Sequence, residues 1–205
     1  AMIMVTDKGL KKDPELGEKI NRSVFPGHQG GPHMNKIAGI AVALHEASTP
    51  AFKKYAKQIV KNAKVLGKIL GFSTENHMIW MDLRNKGIDG WQAHVTLEAV
   101  NIYGNKQTIP NDPRPPYYPS GYRLGTPAIT TRGMKEKEMK VIAKFIEEGF
   151  AIAKELGNKM IGDSDKATDQ KGRKLFKEQL FKSSKVKSLK KRVINFAKGF
   201  RTRPE

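Results

Sequence analysis

Five prolines, Pro110, Pro113, Pro115, Pro116 and Pro119, fall close together in the middle of this chain and constrain its fold most. Proline fixes φ and has no N–H to give to a ladder. The stretch 104–119 therefore reads as an ordered loop, neither regular helix nor central strand. The apolar run Met78-Ile79-Trp80-Met81-Asp82-Leu83 precedes it and reads as a strand. Tyr122-Arg123-Leu124 follows it and reads as a second, shorter one.

A second punctuated stretch lies near the start, Phe25-Pro-Gly-His-Gln-Gly-Gly-Pro-His33. Its glycines let a backbone approach a ligand closely, and Pro32 fits the first position of the helix expected next. A bare loop running into a helix N-terminus offers unpaired N–H groups and the positive end of the dipole. That combination suits a phosphate or a carboxylate. Taken alone, the loop is read equally well as a plain turn.

Periodicity supplies the helices. Met34, Ile37, Ala38, Ile40, Ala41, Val42 and Leu44 are dense enough for a buried helix over 32–47. Thr49 is placed to cap the next helix and Pro50 to open it, and that amphipathic helix ends near Gly71. Residues 2–6 read as a short strand, 11–20 as a short helix or loop, and 95–100 as helix. A long helix is expected from a cap at Thr130 or Thr131 through Leu156. The polar stretch 163–171 reads as a mobile loop, and 175–200 as one or two basic amphipathic helices.

A length of 205 residues suits one domain or one and a half. The absence of cysteine excludes disulfides and thiolate chemistry. The apolar run 37–44 is too short to span a bilayer, and no leader pattern opens the sequence, so a cytoplasmic protein without a membrane partner is expected. His33, His45, His77 and His94 show no ligand spacing, and no metal is expected. Asp82 and Asp112 are isolated carboxylates.

Net charge is +18, and residues 166–205 hold 14 Lys and Arg against 3 Asp and Glu. Such a tail is either a solvated basic face or a nucleic-acid patch. Aromatics are not interleaved with the basic residues along the sequence, so a nucleic-acid partner is not expected. Arg123 lies between Gly121 and Gly125, where a planar fork could grip a carboxylate. An ordinary surface ion pair is the competing reading.

Several of these stretches recur together. The loop Phe25–Pro32, the segment Thr74-Glu75-Asn76-His77 with Met81-Asp82-Leu83, the cluster Asn105-Lys106-Gln107-Thr108-Ile109-Pro110-Asn111-Asp112-Pro113, and Ser120-Gly121-Tyr122-Arg123-Leu124-Gly125-Thr126-Pro127-Ala128-Ile129-Thr130 resemble, in order, the motifs of serine hydroxymethyltransferase. The resemblance is close over about residues 1–156 and loose in the tail.

The resemblance implies an α/β fold of the aspartate-aminotransferase-like type I, dependent on pyridoxal 5'-phosphate (PLP). Residues 1–70 would be the end of the large PLP domain, with its phosphate loop and long connecting helices. Residues 71–205 would be the C-terminal α+β small domain, an antiparallel sheet covered by helices, with a basic helical tail. The implied reaction is reversible transfer of the hydroxymethyl group of serine to tetrahydrofolate, giving glycine and 5,10-methylenetetrahydrofolate.

By the same resemblance Arg123 binds the substrate carboxylate. Gly30 and Gly31 hold the PLP phosphate, with Gln29 shaping the turn, and Gln107, Lys106, Pro115, Pro116 and Tyr117 approach the folate. Two departures touch that folate segment. Gln107 stands where the family has Asn, and Pro115-Pro116-Tyr117 replaces a Ser-Pro-Phe pattern. A third is the short Gly71-Phe72-Ser73 after Leu70.

The family's Schiff-base lysine lies in an N-terminal half not seen in this sequence, so no catalytic residue is assigned here and the chain alone is expected to be inactive. The family implies a homodimer or tetramer with shared active sites. Basic residues of the tail could also attract the glutamate tail of folate. A non-catalytic amino-acid or folate binder, or a basic nucleic-acid binder, are the alternative readings.

Overall fold

The computed structural model describes residues 3–161 and 170–200, and the chain divides into two compact units, 1–49 and 50–205.

In the first unit, α1 (Asp7–Lys12) and α2 (Leu16–Arg22) lead through a π-type turn (Ser23–His28) to the glycine loop and then to α3 (Met34–Ser48). Of the strand expected over 2–6, residue 2 lies outside the described residues and 3–6 are not a strand. The Thr6 hydroxyl instead accepts from the Gly9 N–H at 3.2 Å and caps α1, and among the described residues no strand pairs with this stretch. Pro32 is not the first helical residue either. His33 stays extended and forms the cap, so α3 begins at Met34. The apolar residues of α3 are not buried within this unit: Met34, Ile37, Ile40, Val42 and Leu44 are all exposed. Dense apolar periodicity made the helix, but no partner surface in the unit covers it.

The second unit opens with α4 (Pro50–Leu70), whose stripe of Ile59, Ala63, Leu66 and Leu70 is buried. Gly71 turns with φ +87°, and the Phe72 N–H reaches the Gly67 carbonyl at 2.8 Å. The short Gly71–Ser73 stretch is thus a closed helix end. The chain then enters β1 (Met78–Asp82), α5 (Gly90–Ala99), β2 (Asn105–Gln107) and β3 (Gly121–Gly125). The sheet order is β1-β3-β2, antiparallel throughout, so the strand bearing Arg123 is central.

The helix expected over 95–100 starts earlier, at Gly90, because Asp89 and Gln92 form a reciprocal capping box. The stretch 104–119 is not all loop. The prolines begin only at 110, which leaves Asn105–Gln107 free to pair as an edge strand. The long helix is likewise broken near its start. A short α6 (Pro127–Thr131) ends before Gly133 at φ +90°, and α7 (Glu136–Met160) begins after Lys135. The Glu138 carboxylate accepts from the Lys135 N–H at 2.8 Å and fixes that start. Two basic helices follow, α8 (Gln170–Lys182) and α9 (Ser184–Lys198). Of the polar stretch 163–171, residues 163–169 lie outside the described residues and 170–171 are helix.

The core lies between one face of the sheet (Ile79, Met81, Tyr122, Leu124) and the helices, with Leu97, Met139, Ile146, Phe176 and Leu189 also buried. α4 and α5 pack on α7, and α8 and α9 complete the cover.

Candidate functional site

Strand alternation decides which side chains share a face. In register, Trp80 stands opposite Arg123 and Arg123 opposite Asn105; Asp82 stands opposite Gly121 and Gly121 opposite Gln107. Directly paired residues lie on one side of a sheet. Arg123, Trp80, Asn105 and Gln107 therefore occupy the face turned away from the core. Arg123 is half-buried, and its guanidinium makes no ion pair or hydrogen bond among the described residues. Trp80 beside it is 46% exposed. A central strand thus presents a cationic fork next to an exposed indole, and no carboxylate among the described residues pairs with it. Trp80 escaped the sequence reading, although the alternation of β1 places it there.

Lys106 goes the other way. Between Asn105 and Gln107 it turns to the opposite face, donates to the Tyr117 carbonyl at 2.6 Å, and lies 4.4 Å from the Tyr117 ring centroid. The expected folate residues are thus divided. Gln107 sits with Arg123, whereas Lys106 and Tyr117 lie together on the far side of β2. Pro115, Pro116 and Tyr117 are exposed on the loop.

Asp112 organises that loop. It accepts from the N–H groups of Ile109, Arg114 and Ser120 at 3.2, 3.0 and 2.9 Å and from the Ser120 hydroxyl at 2.7 Å. Burial pushes its carboxyl up, but the bonds from Ser120, Arg114 and Ile109 outweigh that and hold it below the usual carboxylate value. A depressed carboxyl contributes stability above its unfolded pKa of about 4, lost as pH falls through the lower folded value. Asp112→Asn should cost about 1–3 kcal/mol at neutral pH, because an amide cannot accept all four bonds. The gap between the two thermal midpoints should close on acidification below about pH 4. A gap constant from neutral to strongly acid pH would show that the carboxylate is not the latch.

A second network anchors the loop from beneath. Buried Asp89 receives Arg173 at 2.7 Å and Arg114 at 3.3 Å, while its other oxygen caps α5. Arg173 also stacks on Tyr118, 3.8 Å from the ring centroid. Nothing in the sequence paired residues 89 and 173.

In the first unit the glycine loop is open. A Cβ added at Gly30 or Gly31 would meet nothing within 4 Å. The Gln29 N–H donates to the Val24 carbonyl at 2.7 Å, and α3 has no side-chain cap. The accessible backbone and uncapped helix start fit a phosphate.

Comparison with known proteins gives the family. The family model described as "Serine hydroxymethyltransferase" matches residues 1–146. That family has the fold of the PLP-dependent transferases. The chain belongs to the serine hydroxymethyltransferase family. A serine hydroxymethyltransferase of Plasmodium falciparum is 43% identical over 199 residues, 92% of this chain and 42% of that protein. A probable cytosolic serine hydroxymethyltransferase of Schizosaccharomyces pombe is 40% identical over 209 residues, covering 94% and 44%. A mitochondrial one of Kluyveromyces lactis is 41% identical over 204 residues, covering 96% and 40%. The chain therefore spans less than half the length of these relatives, which include cytosolic and mitochondrial forms. Among the described residues, no helix is long and apolar enough to cross a membrane.

Proposed function

We propose that this chain is part of a serine hydroxymethyltransferase, which transfers the hydroxymethyl group of serine to tetrahydrofolate and leaves glycine. One observation carries the reading beyond family membership: the half-buried Arg123 guanidinium, unpaired among the described residues, on the open face of the central strand. PLP, when bound, supplies the electron sink for breaking the bond between Cα and the hydroxymethyl carbon.

This chain's residues bind and orient. Arg123 takes the α-carboxylate of serine or glycine through both arms of its fork and fixes the amino acid against rotation. Gly30 and Gly31 offer backbone N–H groups to the PLP phosphate, with Gln29 holding the turn. Gln107, on Arg123's face, and Pro115, Pro116 and Tyr117 on the loop approach the folate. Lys106 contributes there by holding Tyr117. The lysine that bonds to PLP belongs to a part of the protein not in this sequence, and the assembly is a homodimer or tetramer with shared sites. Residues 1–70 close the large domain of the aspartate-aminotransferase-like type, and 71–205 form its small domain.

The reading is tested by reconstitution. Mixed with an N-terminal half bearing the PLP lysine, the chain should release glycine from serine in a tetrahydrofolate-dependent way. Alone, with PLP and borohydride, it should show only scattered labelling of exposed lysines by peptide mass. Stoichiometric labelling of a single lysine would mean that this chain builds its own PLP site, and a folded, PLP-loaded mixture inert towards serine would overturn the assignment.

A further inference from the structure

On the helix-covered side of the sheet, a recess of about 480 Å³ opens among α5, β2, α8 and α9. Three aromatic residues, Trp91, Tyr103 and Phe181, and three lysines, Lys106, Lys177 and Lys190, line it. They come from separate stretches of the chain. The aromatic and basic residues not interleaved along the sequence are interleaved by the fold.

The chemistry of this lining is specific. Tyr103 and Phe181 are 71% and 63% exposed and border the same recess, so two largely exposed aromatic side chains stand at its edge. Trp91 is nearly buried, and Lys177 Nζ lies 5.7 Å from its ring centroid. Burial lowers the pKa of Lys106; Asp89 opposes that, while Arg173 and Lys177 push it lower again. Among the described residues, Glu98 is the one acidic side chain in the lining, and it stands 3.5 Å from His94 Nε2. The two basic helices add to the excess. Arg173, Lys185 and Arg192 are engaged by Asp89, Glu155 and Glu148, but Lys177 and Lys190 make no ion pair among the described residues.

We propose that this recess binds a nucleoside phosphate, the base stacked on Tyr103 or Phe181 and the phosphate held between Lys177 and Lys190. The volume lies within the range of about 300–1,000 Å³ usual for small-ligand sites. A bare anion would leave the rings unused, and an apolar ligand would leave the lysines uncompensated. Stacking with basic contacts to phosphate is how bases are held without sequence preference. The same chemistry is offered by a free mononucleotide and by a nucleotide within a single strand. The site goes beyond the transfer reaction and uses neither Arg123 nor the glycine loop.

The chain has two tryptophans, so Trp80→Phe leaves Trp91 as the sole reporter. Uridine monophosphate and an oligouridylate are titrated into this chain. Saturable quenching of Trp91 is expected. Lys177→Gln with Lys190→Gln should weaken binding at least about tenfold through lost phosphate contacts. Tyr103→Ala with Phe181→Ala should weaken it about fivefold or more through lost stacking. Lys53→Gln with Lys54→Gln, an equal charge change at exposed positions of α4, should leave affinity within about twofold. All three paired variants are checked for native circular dichroism. Oligouridylate binding more than about tenfold tighter than the mononucleotide identifies a strand as the source, and similar affinities identify a free nucleotide. No saturable change up to about 10 mM, well above any functional affinity, overturns the site. So does equal weakening by the α4 pair, or indifference to loss of the two rings.

Discussion

Arg123→Ala is expected to weaken serine and glycine binding by the reconstituted enzyme roughly 100-fold, about 3 kcal/mol, because it removes a charge-assisted bidentate pair. The half-buried position matters. A fully exposed pair would be worth under about 1 kcal/mol. Arg123→Lys keeps the charge but loses the fork, and should recover about tenfold of the loss at most. No native ion pair or hydrogen bond among the described residues is broken by the change, so the thermal midpoint should hardly move. Isothermal titration with glycine, beside a melting curve, separates the two effects. A variant that melts normally and binds glycine as tightly as the parent would remove Arg123 from the carboxylate role.

The largest effect on stability is expected at Gly90→Ala. The Gly90 N–H donates to the Pro119 carbonyl at 2.7 Å, pinning the start of α5 under the end of the proline loop. A Cβ at this position would overlap the Gly121 carbonyl oxygen and come within 2.9 Å of the Pro119 carbonyl. Both obstacles are backbone, and one belongs to the central strand, so neither can rotate aside. The cost should be about 3–5 kcal/mol, at the upper end for a single substitution. That corresponds to roughly 10 °C in the thermal midpoint for a chain of this size. Gly39→Ala is the contrast. It lies inside α3 with open space around it, and should be neutral or stabilising by up to about 1 kcal/mol. Equal melting behaviour of the two variants would show that the approach of α5 to β3 is not tight.

The Gly90 contact also ties stability to the site. Shifting α5 away from Pro119 would move the loop that Asp112 and Asp89 hold, and with it the start of β3 two residues before Arg123. In the reconstituted mixture, an activity loss in Gly90→Ala is therefore expected to exceed the unfolded fraction.

Much of the fold was legible because it is written at short range. The stripe on α4, the apolar run of β1, the glycine end after Leu70 and the prolines of the loop each act within a few residues. The motif resemblance reached further and gave the family, since Phe25–Pro32, Asn105–Pro113 and Ser120–Thr130 are long and ordered. Errors arose where a local signal had two outcomes. Thr130 and Thr131 looked like a cap, but they end α6, and the turn at Gly133 starts a new helix. Residues 2–6 resembled a strand, but among the described residues no partner strand lies beside residues 3–6.

By itself the sequence determined the family, the amphipathic and strand segments, and the residues with the chemistry to hold a carboxylate or a phosphate. Only the tertiary structure decided which of them meet. Alternation along β2 separates Lys106 from Gln107 and Arg123, though they are neighbours in the chain. Asp89 and Arg173 pair across 84 residues, and Tyr103, Lys177 and Lys190 gather at one recess. The physical reason is that periodicity and turn chemistry are fixed by neighbours along the chain. Charge pairing, close backbone approach and pocket lining depend on the path that packing gives to distant segments.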